Sequence, residues 1–191
     1  MSYLTGYGTP SFRGSATGFR VAGDGATATN NLLTIASLAD GPRIRIASLE
    51  VLHNSTAALV TPGLQAIFSR TTAIPTGGTA LVKRGFSTTG STSASSGRVE
   101  VLYGTASDGG AATPITATAE AGAFSQKFLD RLHTAVGQAL PGEVDLLPGL
   151  AKIEALIIPS GGGVVVQALT VDAANIPITD HFIVLISWEE Y

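Results

Sequence analysis

The chain has 191 residues, 13% of them charged, a formal net charge of −3 and no cysteine. That composition excludes a disulfide framework, a thiolate nucleophile and a cysteine-ligated metal, and it provides no basic footprint for nucleic acid. Ordinary soluble domains carry about a quarter charged residues, so a chain this neutral is expected to work with much of its surface covered, as part of an assembly before an enzyme.

No apolar run reaches the ~18 residues that a membrane-spanning helix needs. The N-terminal MSYLTGYGTPSFRG lacks the basic stretch and apolar core of a signal peptide, so synthesis in the cytoplasm is expected. Residues 1–30 read as an extended arm ahead of a domain over 31–191. Tyr3, Leu4, Tyr7, Phe12 and Phe19 are spread through Gly, Ser and Thr without a regular period, a pattern that cannot build its own core. Such aromatics suit anchoring on another surface. The alternative is an arm folded back on its own domain.

The first strand is predicted at 33–38, followed by the turn Asp40-Gly41-Pro42. In RIRIASLEVLH, Ile44 and Ile46 alternate with Arg43 and Arg45; the apolar phase then slips by one residue to Leu49 and Val51, as a β-bulge produces. Strands are predicted at 64–70 and 79–84, joined by a reversal through Pro75 and Gly77-Gly78. The Ser-rich 86–97 reads as an exposed loop. Residues 98–105 alternate cleanly, and 115–119 could form a short strand. Residues 123–136 fit helical spacing and an irregular strand alike. Further strands are predicted at 153–158 and 163–171, around the turn at Gly161-Gly162-Gly163. In the closing HFIVLISWEE, Phe182, Val184, Ile186 and Trp188 share one face and Ile183 and Leu185 the other, which marks a central strand. About eight to ten strands with at most one helix predict an all-β, jelly-roll-like antiparallel sandwich.

Catalytic signals are weak. His53, His133 and His181 lack metal-ligand spacing. Asp180 and His181 are strand neighbours and should diverge, as should Glu189 and Glu190. The Gly161–Gly163 run has neither the Lys-Ser/Thr nor the helix of a phosphate loop. No catalytic, metal or cofactor residue is therefore assigned. Arg43 and Arg45, with Arg70, Lys83 and Arg84 nearby in the predicted strands, could form a basic patch for an acidic partner; ordinary solvated strand faces are the alternative.

Two segments carry a likeness. Arg70-Thr71-Thr72 precedes Gly77-Gly78-Thr79-Ala80-Leu81, and the chain closes on Ile186-Ser187-Trp188-Glu189-Glu190. Together with RIRIASLEVLH they resemble small β-sandwich structural proteins of tailed bacteriophages, of the minor capsid, cement or decoration type. The likeness covers roughly residues 43–85 and 150–191. It implies a non-enzymatic, cofactor-free homotrimer on the virion capsid surface that contacts the major capsid protein, with neither nucleic acid nor membrane as partner. It also favours extended chain over helix at 131–138. The candidate assembly contacts are Tyr3, Leu4, Tyr7, Phe12, Phe19, Arg43 and Arg45. The competing expectation is a receptor- or glycan-binding head or tail appendage, in which Trp188, Tyr103 or Tyr191 would stack on sugar.

Overall fold

The computed structural model describes residues 10–22, 25, 27, 29–55, 64–86, 95–104, 113–122, 125–128, 142–147, 156–170, 175–176 and 180–191. Among these there is no helix. The strands are β1 (Phe12–Ala22), β2 (Thr29–Ser37), β3 (Ile44–Ser55), β4 (Leu64–Arg70), β5 (Thr76–Gly77), β6 (Thr79–Ala80), β7 (Arg84–Gly85), β8 (Val99–Tyr103), β9 (Ile115–Thr116), β10 (Ser125–Phe128), β11 (Gly142–Asp145), β12 (Leu156–Ile158), β13 (Gly163–Thr170) and β14 (Asp180–Glu190).

Two antiparallel sheets pack face to face. The first runs β11-β3-β14-β1-β7, with β12 also on β3, and the second runs β10-β4-β13-β2-β8-β6. β11 pairs with Glu50–His53 and β12 with Ile44–Ile46, so the two form one interrupted strand along β3. Residues 71–122, between β4 and β10, are an insert. Without it, eight strands in chain order give sheets ordered first-eighth-third-sixth and second-seventh-fourth-fifth. That is the double Greek key of a jelly roll.

The core follows from strand alternation. Phe182, Val184, Ile186 and Trp188 on β14 meet Val164, Val166 and Ala168 on β13 and Leu33 and Ile35 on β2 within one buried cluster. Each large side chain so enclosed contributes about 1.5–3 kcal/mol. The phase slip in β3 is a real bulge: Ser187 faces Ser48 and Trp188 faces Ile46, which leaves Ala47 as the extra residue. A second bulge lies on β2, where Val166 faces Leu33 and Gln167 faces Asn31.

Three expectations change and one open reading closes. Residues 12–22 are β1, paired with β14 over most of its length, so this part of the expected arm is folded back on its own domain; Thr29 already belongs to β2. The reason is that β14 needs a second neighbour for its backbone groups. Of the two readings of 123–136, the described residues take the strand, because Ser125–Phe128 pairs with β4; 123–124 and 129–138, including the stretch 131–138 expected to be extended, lie outside the described residues. The predicted strand 79–84 is split. β6 pairs with β8 in the second sheet and β7 with β1 in the first, so 81–83 is a strap that crosses the side of the sandwich. The reversal at 71–78 does not pair β4 with β6 either: β5 pairs instead with β9, and this ribbon lies on the outer face of β2, where Asn31 donates to the Ile115 carbonyl at 2.9 Å.

Gly104 ends β8 and donates its N–H to the Leu32 carbonyl at 2.9 Å. A Cβ there would collide with the carbonyl oxygen of Asn31. Gly104→Val is expected to push β8 off β2 and lose about 1–3 kcal/mol, read as a lower urea midpoint at unchanged slope.

Candidate assembly surface

The last strand places two adjacent carboxylates on opposite faces, as its alternation requires. Glu189 faces outward between two arginines. Its Oε1 lies 2.9 Å from Arg13 Nε and its Oε2 lies 2.9 Å from Arg45 Nε. The Tyr191 hydroxyl donates to Glu189 Oε2 at 2.6 Å. β1, β3 and β14 are adjacent strands, so Arg13 and Arg45, far from Glu189 in sequence, both reach it, while Tyr191 is its neighbour along the chain. The Arg13 side chain is 58% exposed, and an ion pair so open contributes at most about 1 kcal/mol.

Glu190 faces inward. Its Oε1 accepts from Trp188 Nε1 at 3.0 Å and from Ser95 Oγ at 2.5 Å, and its Oε2 accepts from the Ser96 N–H at 2.8 Å. Part of the Ser-rich segment expected to be an exposed loop is thus anchored; 87–94 lies outside the described residues. Lys83 reinforces the same corner by donating to the carbonyls of Ser96 and Val99, at 3.0 and 2.7 Å.

Burial pushes the Tyr191 phenol up from its ordinary value, helped by the hydrogen bond to Glu189 and by that carboxylate's charge, while Arg45 and Arg13 pull it down. A raised value in the folded state means that the folded chain holds the proton more tightly. The contribution is therefore complete below the unfolded value of about 10 and fades as pH rises through the folded value. Urea unfolding at rising alkaline pH is expected to show stability falling above about pH 10, with a smaller fall in Tyr191→Phe.

The candidate contacts do not form one surface. Phe12 is 1% exposed and packs on Trp188 with ring centroids 5.6 Å apart, so it is a core residue and no partner can reach it. Arg43 is exposed and Arg45 is held by Glu189. Arg84 lies on β7, with β14 and β1 between it and β3, and Arg70 belongs to the other sheet; the basic patch is dispersed. Tyr3, Leu4 and Tyr7 lie outside the described residues, as does the Phe19 side chain. Trp188 is 0% exposed and cannot stack on sugar; Tyr103 and Tyr191 are half-buried.

His53 and Asp180 form a pair that sequence inspection missed. His53 Nε2 lies 3.2 Å from Asp180 Oδ1, and the imidazole packs on Phe182 at 5.2 Å. Register makes the pair: Phe182 faces His53 and Asp180 faces Ser55, a coincidence of two strands that no local motif announces. His53 is 1% exposed, and its Nδ1 has no hydrogen-bond partner among the described residues. The pair is sealed from substrate and ties β3 to β14. Among the described residues no group of three His, Asp or Glu could hold a metal ion.

Two large apolar side chains stand out at the surface. Val82 and Phe86, at 73% and 67% exposure, are the exposed large hydrophobics of the described chain, and both sit on or beside the strap. Next to them a groove of about 360 Å³ is lined by Ser15, Ala16, Thr17, Leu81, Val82 and Arg84. Neither a protein-family model nor a curated protein matches the chain.

Proposed function

We propose that this chain is a capsid cement or decoration protein of a tailed bacteriophage, a homotrimer that stabilises the head by bridging major capsid subunits. The observation that carries the proposal is the strap: two large apolar side chains held out into water on a chain with only 13% charged residues. A monomer gains nothing from that exposure, and burial of both side chains against a partner would remove it. The likeness of the 70–81 turn and the closing strand to phage structural proteins supports the same role.

The mechanism is area and geometry. A standard interface of about 1,600 Å² suffices for specific binding, and copies joined around an axis add avidity. Each bridge buries surface that internal pressure must reopen before subunits part. The glycan-binding alternative is weakened, because Trp188, its best stacking platform, is enclosed.

The test is occupancy. Purified protein is added to heads that lack it, and the shells are imaged and weighed. Saturable binding at symmetry-related positions, with a higher temperature of head disruption, is the expected result. Absence of binding at micromolar protein would overturn the proposal.

A further inference from the structure

The first sheet has an unfinished edge. β7 pairs with β1 only at Gly14 and Ser15, and the Phe86 N–H extends this contact by donating to the Arg13 carbonyl at 2.9 Å. Arg13 and Ser15 therefore turn their backbone groups toward β7. By alternation Thr17 turns its N–H and C=O the same way. In that register it would face Val82, but the strap has already left the ladder there: the Leu81 N–H donates to Val101 in the second sheet at 2.8 Å. Beyond Ser15, β1 has no strand on this side among the described residues. The apolar groove lies along this stretch of edge.

We propose that this edge accepts the N-terminal segment of a second copy of the chain as an added strand. The inference rests on the homotrimer reading and names the joint that would hold it. Residues 1–9, MSYLTGYGT, carry no charged side chain, which suits a groove whose one charged lining residue is Arg84. In extended backbone Tyr3, Thr5, Tyr7 and Thr9 share one face, and Tyr and Thr are favoured strand residues. Pro10 has no N–H and ends such a ladder. Edge addition of this kind draws affinity from main-chain hydrogen bonds and selectivity from pockets that take alternate side chains.

The donor is a neighbour for a geometric reason. The Ser11 N–H donates to the Glu190 carbonyl at 2.7 Å, which fixes the exit of the segment at the head of β1. Phe86 and β7 cover the edge beside that exit. A chain reaching its own groove would have to double back over both. Donation from a neighbouring chain avoids that reversal, and head-to-tail donation gives a ring where the rotation between copies closes.

The test measures the mass of the full chain and its variants in solution. The intact protein is expected to be a trimer. Deletion of residues 2–9, or the exposed Val82→Glu, is expected to give folded monomers. Thr17→Pro should do the same, because its N–H points to the open edge; Val82→Glu stands in if that variant does not fold. Mixing the deletion variant, which keeps the groove, with Val82→Glu, which keeps the segment, is expected to restore association in equal proportion. Trimers that survive both the deletion and Val82→Glu would overturn the strand exchange and leave the trimer standing. An intact protein that is a monomer would remove both. Failure of the mixture to associate would also overturn the exchange.

Discussion

Removal of residues 182–191 is expected to leave no folded protein. β14 is the central strand of the first sheet, paired along its length with β3 on one side and with β1 on the other. Its loss strips both neighbours of their partners and takes away Phe182, Val184, Ile186 and Trp188, each at most 1% exposed. At about 1.5–3 kcal/mol for each enclosed side chain, those four contribute as much as the 5–15 kcal/mol by which a whole domain is usually stable. Expression of the truncated chain, followed by limited proteolysis and circular dichroism, checks this. A soluble, protease-resistant product with strand signal would contradict it.

Trp188→Ala is expected to cost about 3–5 kcal/mol, the range for emptying a large aromatic site. Two losses combine. The indole fills the core against Phe12, and its Nε1–H supplies one of three hydrogen bonds to the buried Glu190 carboxylate. The two are separable. Trp188→Phe keeps most of the volume and removes the donor. Glu190→Gln keeps the volume but leaves a single acceptor oxygen, so either the Ser96 N–H or the Trp188 and Ser95 donors lose their partner, with an expected loss of about 1–3 kcal/mol. Urea unfolding followed by circular dichroism ranks the three variants. Trp188 is the single tryptophan, so its fluorescence in the parent chain reports this corner alone. A cost below about 1 kcal/mol for Trp188→Ala would show that the core closes around the gap.

Strands whose interior faces carry large residues were legible from sequence. The run 64–70 matches β4, and the slip after Ile46 marks the bulge at Ala47. β1 was not legible, because its interior positions are Phe12, Gly14 and Ala16. The Phe12 ring lies across Gly14, where any Cβ would collide with that ring and with the Arg84 carbonyl. An interior face made partly of a missing side chain leaves no apolar period to read. The strap was misread because Leu81 and Val82 look like strand residues, whereas the crossing between sheets is set by separate partners, β8 and β1. The His53–Asp180 and Ser95–Glu190 contacts span 127 and 95 positions. Such pairs depend on register and loop placement, which local pattern does not encode. The exposure of Val82 and Phe86 was equally hidden, since only the finished topology shows which side chains stay in contact with solvent.

β1 is zipped to β14, which lies far along the chain, so the first sheet stays incomplete until β14 has left the ribosome. At ordinary elongation rates that delay is on the order of 10 to 40 s. Throughout it, β1 is an unmatched ribbon in a crowded cell, with identical ribbons on neighbouring ribosomes. Unpaired strand edges of this kind are aggregation-prone while a chain is still folding.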